Sequence, residues 1–236
     1  MSKKNNTIGV FDSGIGGLTV ARTLAAHLPN ESLVYFGDTA HLPYGDKSAD
    51  AIRFFSLKIA KFLLDKGCKC IVVACNSATS TSIHVLQEFF GDRVPIIGTV
   101  EPLTQYIATQ NFQKIGIIGT KATIGSGMYE QSLKAKQPAL DVASLATPLL
   151  VPMIEEGFFQ HNISQTIIHN YLENNNLDNI NALLLACTHY PLIRNEIEDY
   201  YKNINKKVSV FDSNMPVALE VERVLRENDA LNRIEI

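Results

Sequence analysis

The chain has 236 residues, 46% hydrophobic and 19% charged, with a net charge of −3, which supports a packed core in one large or two modest domains and argues against disorder. The slight acidity and the absence of a dense Lys/Arg run give no footing for nucleic acid, and no apolar run is long enough to span a bilayer. The basic start, Met1 to Asn6, lacks the apolar segment of a signal peptide, and four Cys without paired spacing make no disulfide framework, so a soluble protein of a reducing cytosol is expected.

In chain order, Ile8-Gly9-Val10-Phe11 reads as a short buried strand, followed by the Gly-rich turn Asp12-Ser13-Gly14-Ile15-Gly16-Gly17 and a helix from Leu18 to about Leu28. Leu33 to Phe36 is a second strand, and His41-Leu42-Pro43-Tyr44-Gly45 is a loop. From Ser48 to Lys66 apolar residues recur at 52, 55, 59, 62 and 63, an amphipathic helix that Gly67 stops. Ile71 to Ala74 is an apolar run ended by Cys75, then Asn76-Ser77-Ala78-Thr79 and a helix from about Ser80 to Phe90. Val94 to Ile97, closed by Gly98-Thr99, is a further strand. Strands alternating with helices argue for parallel sheet built from βαβ units.

The second half repeats the order. Ile115 to Thr120 echoes Ile8 to Ser13, and Val142 to Thr147 echoes Val34 to Thr39. Leu183-Leu184-Leu185-Ala186, ended by Cys187, echoes the Cys75 run, and Val208 to Ser213 echoes Val94 to Thr99. The offsets rise slowly from 107 to 114 and keep register. Four matched segments argue for duplication into two similar doubly wound α/β domains related by a pseudo-two-fold axis. The expected division is 1–98 with 210–236 against 99–209, because Val208 to Ser213 resembles the FDS turn of the first half in composition.

Open α/β sheets place their chemistry at the C-terminal ends of strands, and ligands favour domain interfaces. Cys75 and Cys187 both end buried strands, so facing halves would bring two thiols to one ligand from opposite sides. A position before a helix N-terminus also lowers a thiol pKa below its free value of about 8.5. The plainer reading is that each Cys is a small buried residue, as Cys68 and Cys70 are expected to be.

The segments IGVFDSGIGG, YFGDTAHLPYG, VVACNSAT, IGTVEP, GTKATI and LLACTHYPL together resemble glutamate racemase, from Ile8 to about Leu225. The ACNSAT and ACTHYPL pair is the specific part. The Gly-rich turn fails the dinucleotide fingerprint at its third glycine. The resemblance implies racemisation of L- and D-glutamate in the cytoplasm with no cofactor and no metal, supplying D-glutamate for peptidoglycan. Inverting Cα requires removing its proton from one face and returning one to the other. A single rigidly held base cannot reach both faces, whereas two Cys on opposite walls can.

By resemblance, Cys75 and Cys187 carry these roles, Asp12 assists Cys75, and His189 and Glu155 assist Cys187. Glu156 is adjacent, and the choice between the two carboxylates is open at this point. Asp12 could instead cap the helix after its turn. His189 stands apart from His27, His84, His161 and His169, which lie on helical or surface stretches. For the substrate's carboxylates, no Lys or Arg lies within ACNSAT, ACTHYPL or the FDSGIGG turn. Helix N-termini and hydroxyls can hold them instead, at Ser13, Asn76, Ser77, Thr120, Thr123 and Thr188, with Tyr44 and Gly45 added by the family match. Asp12 is also placed to face the substrate ammonium.

The chain departs from the family pattern in places. Ser77 stands where Thr is usual, and Asn214 follows Asp212-Ser213 where Gly is common, which puts that turn's geometry in question. The chain also ends soon after the helix containing Val217 to Leu225. The expected partner is a small molecule, glutamate; a homodimer is compatible, and nucleic acid and membrane are not expected. A racemase of aspartate or a related acid, or a non-catalytic anion-binding α/β module, are the competing readings.

Overall fold

The structure, a computed structural model, describes residues 6–158 and 162–232. The basic start at 1–5, His161 and the last four residues of the expected first domain, 233–236, lie outside the described residues.

Among the described residues, eight strands form two four-stranded parallel sheets. β1 (Ile8–Asp12), β2 (Leu33–Gly37), β3 (Cys70–Val73) and β4 (Ile96–Ile97) are ordered β2-β1-β3-β4. β5 (Lys114–Gly119), β6 (Asp141–Ala146), β7 (Ala182–Ala186) and β8 (Ser209–Phe211) are ordered β6-β5-β7-β8. The second order is the first with every strand advanced by four. The register agrees too: Ile8 faces Leu33 and Cys70, and Ile115 faces Val142 and Ala182.

Helices cover both faces of each sheet, which is why the central strands read as unbroken apolar runs. In the first sheet Val10 and Val72 pack with Val20, Leu24, Val217 and Val221 of α1 (Leu18–His27) and α10 (Asn214–Glu227). The opposite face, Phe11, Ile71 and Val73, packs with Ile52, Leu63 and Leu86 of α2 (Ala49–Asp65) and α3 (Asn76–Phe90). In the second sheet Ile117 meets Leu103, Ile107 and Leu133 of α4 (Val100–Ala108) and α6 (Met128–Lys136). Its neighbour Ile118 points the other way, toward Met153, Ile168 and Ile197 of α7 (Leu150–Glu155), α8 (Asn162–Leu172) and α9 (Arg194–Asn203). The period-two alternation of a strand sorts these residues. No helix among the described residues is long and apolar enough to cross a membrane.

Three local expectations need correction. First, Val208 to Ser213 does not travel as one piece with the first half. Ser209–Phe211 pair with Ala182–Leu184 of β7, and only from Asn214 does the chain, as α10, pack on α1. Arg194 fixes this crossing: its guanidinium donates to the Val210 carbonyl at 2.6 Å and pairs with Asp212. Second, α3 begins at Asn76, four residues before the expected start, because the Cys75 sulfur caps it by accepting from the Ala78 N–H at 3.4 Å. Third, Asn214 does not disturb its turn. It opens α10, its N–H donates to Asp212 Oδ1 at 2.8 Å, and its φ is not positive, so no glycine is required.

The end of the described chain is tied down by an ion pair. Lys69 Nζ lies 2.6 Å from Glu31 Oε2, both side chains are buried, and Lys69 also donates to the Ala230 carbonyl at 2.8 Å. Glu31 Oε1 accepts from the Asn232 N–H at 2.7 Å. Removing one partner of such a pair strands the other charge out of water. Glu31→Ala should therefore lower stability by about 3 kcal/mol, read from the urea unfolding midpoint; a change under about 0.5 kcal/mol would mean that the Lys69 charge is compensated otherwise.

Candidate active site

The C-terminal ends of β1, β3, β5 and β7 face one cavity of about 180 Å³. On the first-half side, β1 ends at Asp12, which is fully buried. Asp12 Oδ2 accepts from the Gly14 N–H at 2.9 Å, closing the Gly-rich turn, and Oδ1 accepts from the Thr188 hydroxyl of the other half at 3.4 Å. The helix-cap alternative does not describe it: Gly17 occupies the cap of α1, with no side-chain bond. Cys75 ends the β3 run, and its Sγ lies 3.7 Å from Ser13 Oγ.

On the other side, Cys187 follows β7. Its Sγ is 3.8 Å from His189 Nδ1, and His189 Nε2 is 3.0 Å from Glu155 Oε1. Both ring nitrogens are therefore engaged, one by a thiol and one by a carboxylate. Glu156 also lines the cavity, but Glu155, the last residue of α7, is the carboxylate that reaches the imidazole.

The hydroxyls gather at the helix starts. Ser77, in the first turn of α3, lies 2.9 Å from Thr120 Oγ1 and 3.3 Å from Thr123 Oγ1. Thr120 caps α5 (Lys121–Gly125), accepting from the Thr123 N–H at 3.2 Å. Of the residues singled out in the sequence, Ser13, Tyr44, Gly45, Cys75, Asn76, Ser77, Thr120, Glu155, Cys187, Thr188 and His189 line the cavity. Asp12 and Thr123 stand behind it, touching Thr188 and Ser77 respectively. The Tyr44 hydroxyl is engaged elsewhere, donating to Asp38 Oδ2 at 2.6 Å. Gly45 is there because nothing larger fits: an added Cβ would sit 2.8 Å from Thr120 Cβ.

The electrostatics differ from the expected lowering of the thiols. Burial pushes the Cys75 thiol up to about 12, the Asp12 carboxylate adds to the rise, and the Ala78 N–H and Ser13 oppose it. Burial likewise raises Cys187, opposed by the His189 N–H and reinforced by Cys75 and Asp12. The start of α3 does favour a thiolate at Cys75, but desolvation outweighs it. That Cys75 adds to the rise at Cys187 fits their sharing one cavity.

The sequence reading missed two features. Lys121 lines the cavity, the one Lys or Arg among the described residues that does, and pairs with Asp46 of the first half at 3.2 Å. It sits inside GTKATI and could have been found by asking what flanks Thr120. Tyr129 donates to Asn76 Oδ1 at 2.5 Å; it lies in no motif, and nothing in its spacing signals it.

Comparison with known proteins agrees with this geometry. Residues 18–219 match the Asp/Glu/Hydantoin racemase family model. Glutamate racemase of Thermus thermophilus is 42% identical over 226 residues, covering 95% of this chain and 82% of that protein. That of Geobacter metallireducens is 37% identical over 225 residues, covering 95% and 82%. The crystal structure of glutamate racemase from Francisella tularensis in complex with D-glutamate superposes with a TM-score of 0.90 at 38% identity, covering 98% of this chain and 85% of that one. With the fold, the paired strand ends and these relatives in agreement, the chain belongs to the glutamate racemases of the Asp/Glu racemase family.

Proposed function

We propose that the cavity interconverts L- and D-glutamate by a two-thiol mechanism without a cofactor, in the cytoplasm, supplying D-glutamate for peptidoglycan. The observation that carries this reading is that Cys75 and Cys187, which follow the equivalent strands β3 and β7 of two sheets, line one cavity. The two bodies proposed to flank it are residues 1 to about 98 with the C-terminal helix α10, and 99 to about the Asp212 crossing. The packing of α10 on α1 supports that division.

In this reading one sulfur, as thiolate, takes the Cα proton, and the C–H electrons pass into the adjoining carboxylate-stabilised carbanion. The opposite thiol returns its own proton to the other face and becomes the thiolate. Direction decides which sulfur does which. The protein's own groups push both sulfurs toward the neutral thiol, because burial dominates. The α-ammonium of an amino acid supplies the opposite charge that favours a thiolate. Asp12, behind the wall and linked to Thr188, acts in this reading as the carboxylate beside Cys75 and as the negative charge that draws the ammonium. The Glu155–His189 pair stands beside Cys187 to hold and pass its proton. Asn76 and Ser77 at the start of α3, Thr120 and Thr123 beside them at the start of α5, and Thr188 beyond β7 are suited to the substrate carboxylates. Ser13, Tyr44 and Gly45 complete the wall on the first-half side.

Cys75→Ser and Cys187→Ser should each cut racemisation from both enantiomers by about 1,000-fold or more, followed by circular dichroism of glutamate without added cofactor. Wild-type protein should turn over glutamate in preference to aspartate. Near-normal activity in either variant would remove that thiol from the mechanism. The raised thiol makes a separate demand. The thiolate is the reactive form, so alkylation of Cys75 by iodoacetamide in the protein alone should climb about tenfold per pH unit through pH 10. Peptide mapping that shows a plateau by pH 8 would mean that the start of α3 overcomes burial.

A further inference from the structure

Asn76 opens α3 and lines the cavity, yet its carboxamide is half-satisfied. Oδ1 accepts two hydroxyls: Tyr129 at 2.5 Å and Thr99 Oγ1 at 3.0 Å. Nδ2 is buried and has no hydrogen-bond partner. The short Tyr129 distance falls within the range of O–H···O bonds and below that of N–H···O bonds, so oxygen and not nitrogen faces the phenol. Two donated hydroxyls use both lone pairs of Oδ1. The amide is thereby locked in one rotamer, with its donor end left for something else.

The two hydroxyls come from different places. Thr99 follows β4, and its N–H donates to Thr79 Oγ1 at 3.3 Å; that hydroxyl in turn donates to the Val73 carbonyl at 2.9 Å. It is thus held by the same sheet that carries Cys75. Tyr129 belongs to α6 of the opposite half, is 3% exposed, and packs in the core with Leu133 and Ile107. A residue of the first half therefore has its donor end aimed by a phenol of the second. A buried amide N–H₂ without an acceptor is unfavourable, and a carboxylate in the cavity is the acceptor that would relieve it.

We propose that Tyr129 and Thr99 are positioning residues that lock the Asn76 carboxamide with its N–H groups toward a substrate carboxylate, so that substrate binding depends on a phenol contributed from across the two halves. The proposal rests on the glutamate reading above and adds residues that do not touch the substrate.

The test is a double-mutant cycle. Tyr129→Phe should raise KM for both enantiomers about tenfold, with a smaller effect on kcat, because a freed amide binds less well. In an Asn76→Ala background the same change should alter KM less than about twofold, since nothing remains to orient. Thr99→Val should show the same dependence on Asn76 and is read in place of Tyr129→Phe if that variant lacks a native far-UV spectrum. Equal fold-changes in both backgrounds, an unchanged KM in a folded Tyr129→Phe, or failure of both hydroxyl variants to fold would overturn the proposal. A wild-type chain that does not racemise glutamate would defeat the functional reading and this inference with it; an active wild type with an additive cycle would defeat this inference alone.

Discussion

A Cβ built on Gly16 would lie 2.5 Å from the His189 ring and 2.6 Å from the Thr188 hydroxyl, and one on Gly45 would lie 2.8 Å from Thr120 Cβ. At both places a loop of the first half meets the second with no side chain between them. That closeness is what the site depends on. It lets the Asp12 carboxylate accept from Thr188 and Ser77 reach Thr120. It also keeps the cavity small enough for both thiols to bear on one ligand. Interactions of this kind need no long side chains, which is why glycines and short hydroxyls dominate the seam.

The same closeness excludes water, and that has an electrostatic consequence. A sulfur at a helix start would ordinarily lean toward the thiolate, but 4% exposure at Cys75 and 6% at Cys187 reverse the balance. Two anionic sulfurs beside Asp12 would repel one another in so confined a volume. The proposed reaction needs only one negative charge at a time, which passes from one sulfur to the other as the proton is removed and returned. The Cys187 side holds the hydrogen-bonded Glu155–His189 pair, while the Cys75 side has the Ser13 hydroxyl, the start of α3 and, behind the wall, the Asp12 carboxylate. The two walls are alike in fold and unlike in chemistry.

Much of this was legible in the sequence, for reasons that can be named. The apolar runs before Cys75 and Cys187 mark strands covered on both faces, and their register across the repeat is the strand order now seen in the two sheets. Elements decided by one contact were not legible. The earlier start of α3 depends on sulfur capping, which a run of Asn, Ser and Thr disguises as a turn. The Val208 to Ser213 segment resembles the first half in composition, but Ser209–Phe211 go where β7 offers an open edge. The thiol pKa depends on burial depth, which no local pattern encodes. Tyr129 reaches Asn76 across 53 positions, and only the folded chain brings them together.

The central claim is that protons are removed and returned by different residues on opposite faces of Cα. It is tested most directly by starting from L-glutamate in deuterated water and reading early time points by mass spectrometry. The donor thiol exchanges with solvent before substrate binds, so D-glutamate should carry deuterium at Cα from the first turnover. The L-glutamate not yet converted should remain protiated, since the thiol that removed a proton can only give the same one back. Early deuterium in the unreacted L-glutamate equal to that in the product would contradict the account and point to a single exchangeable base serving both faces.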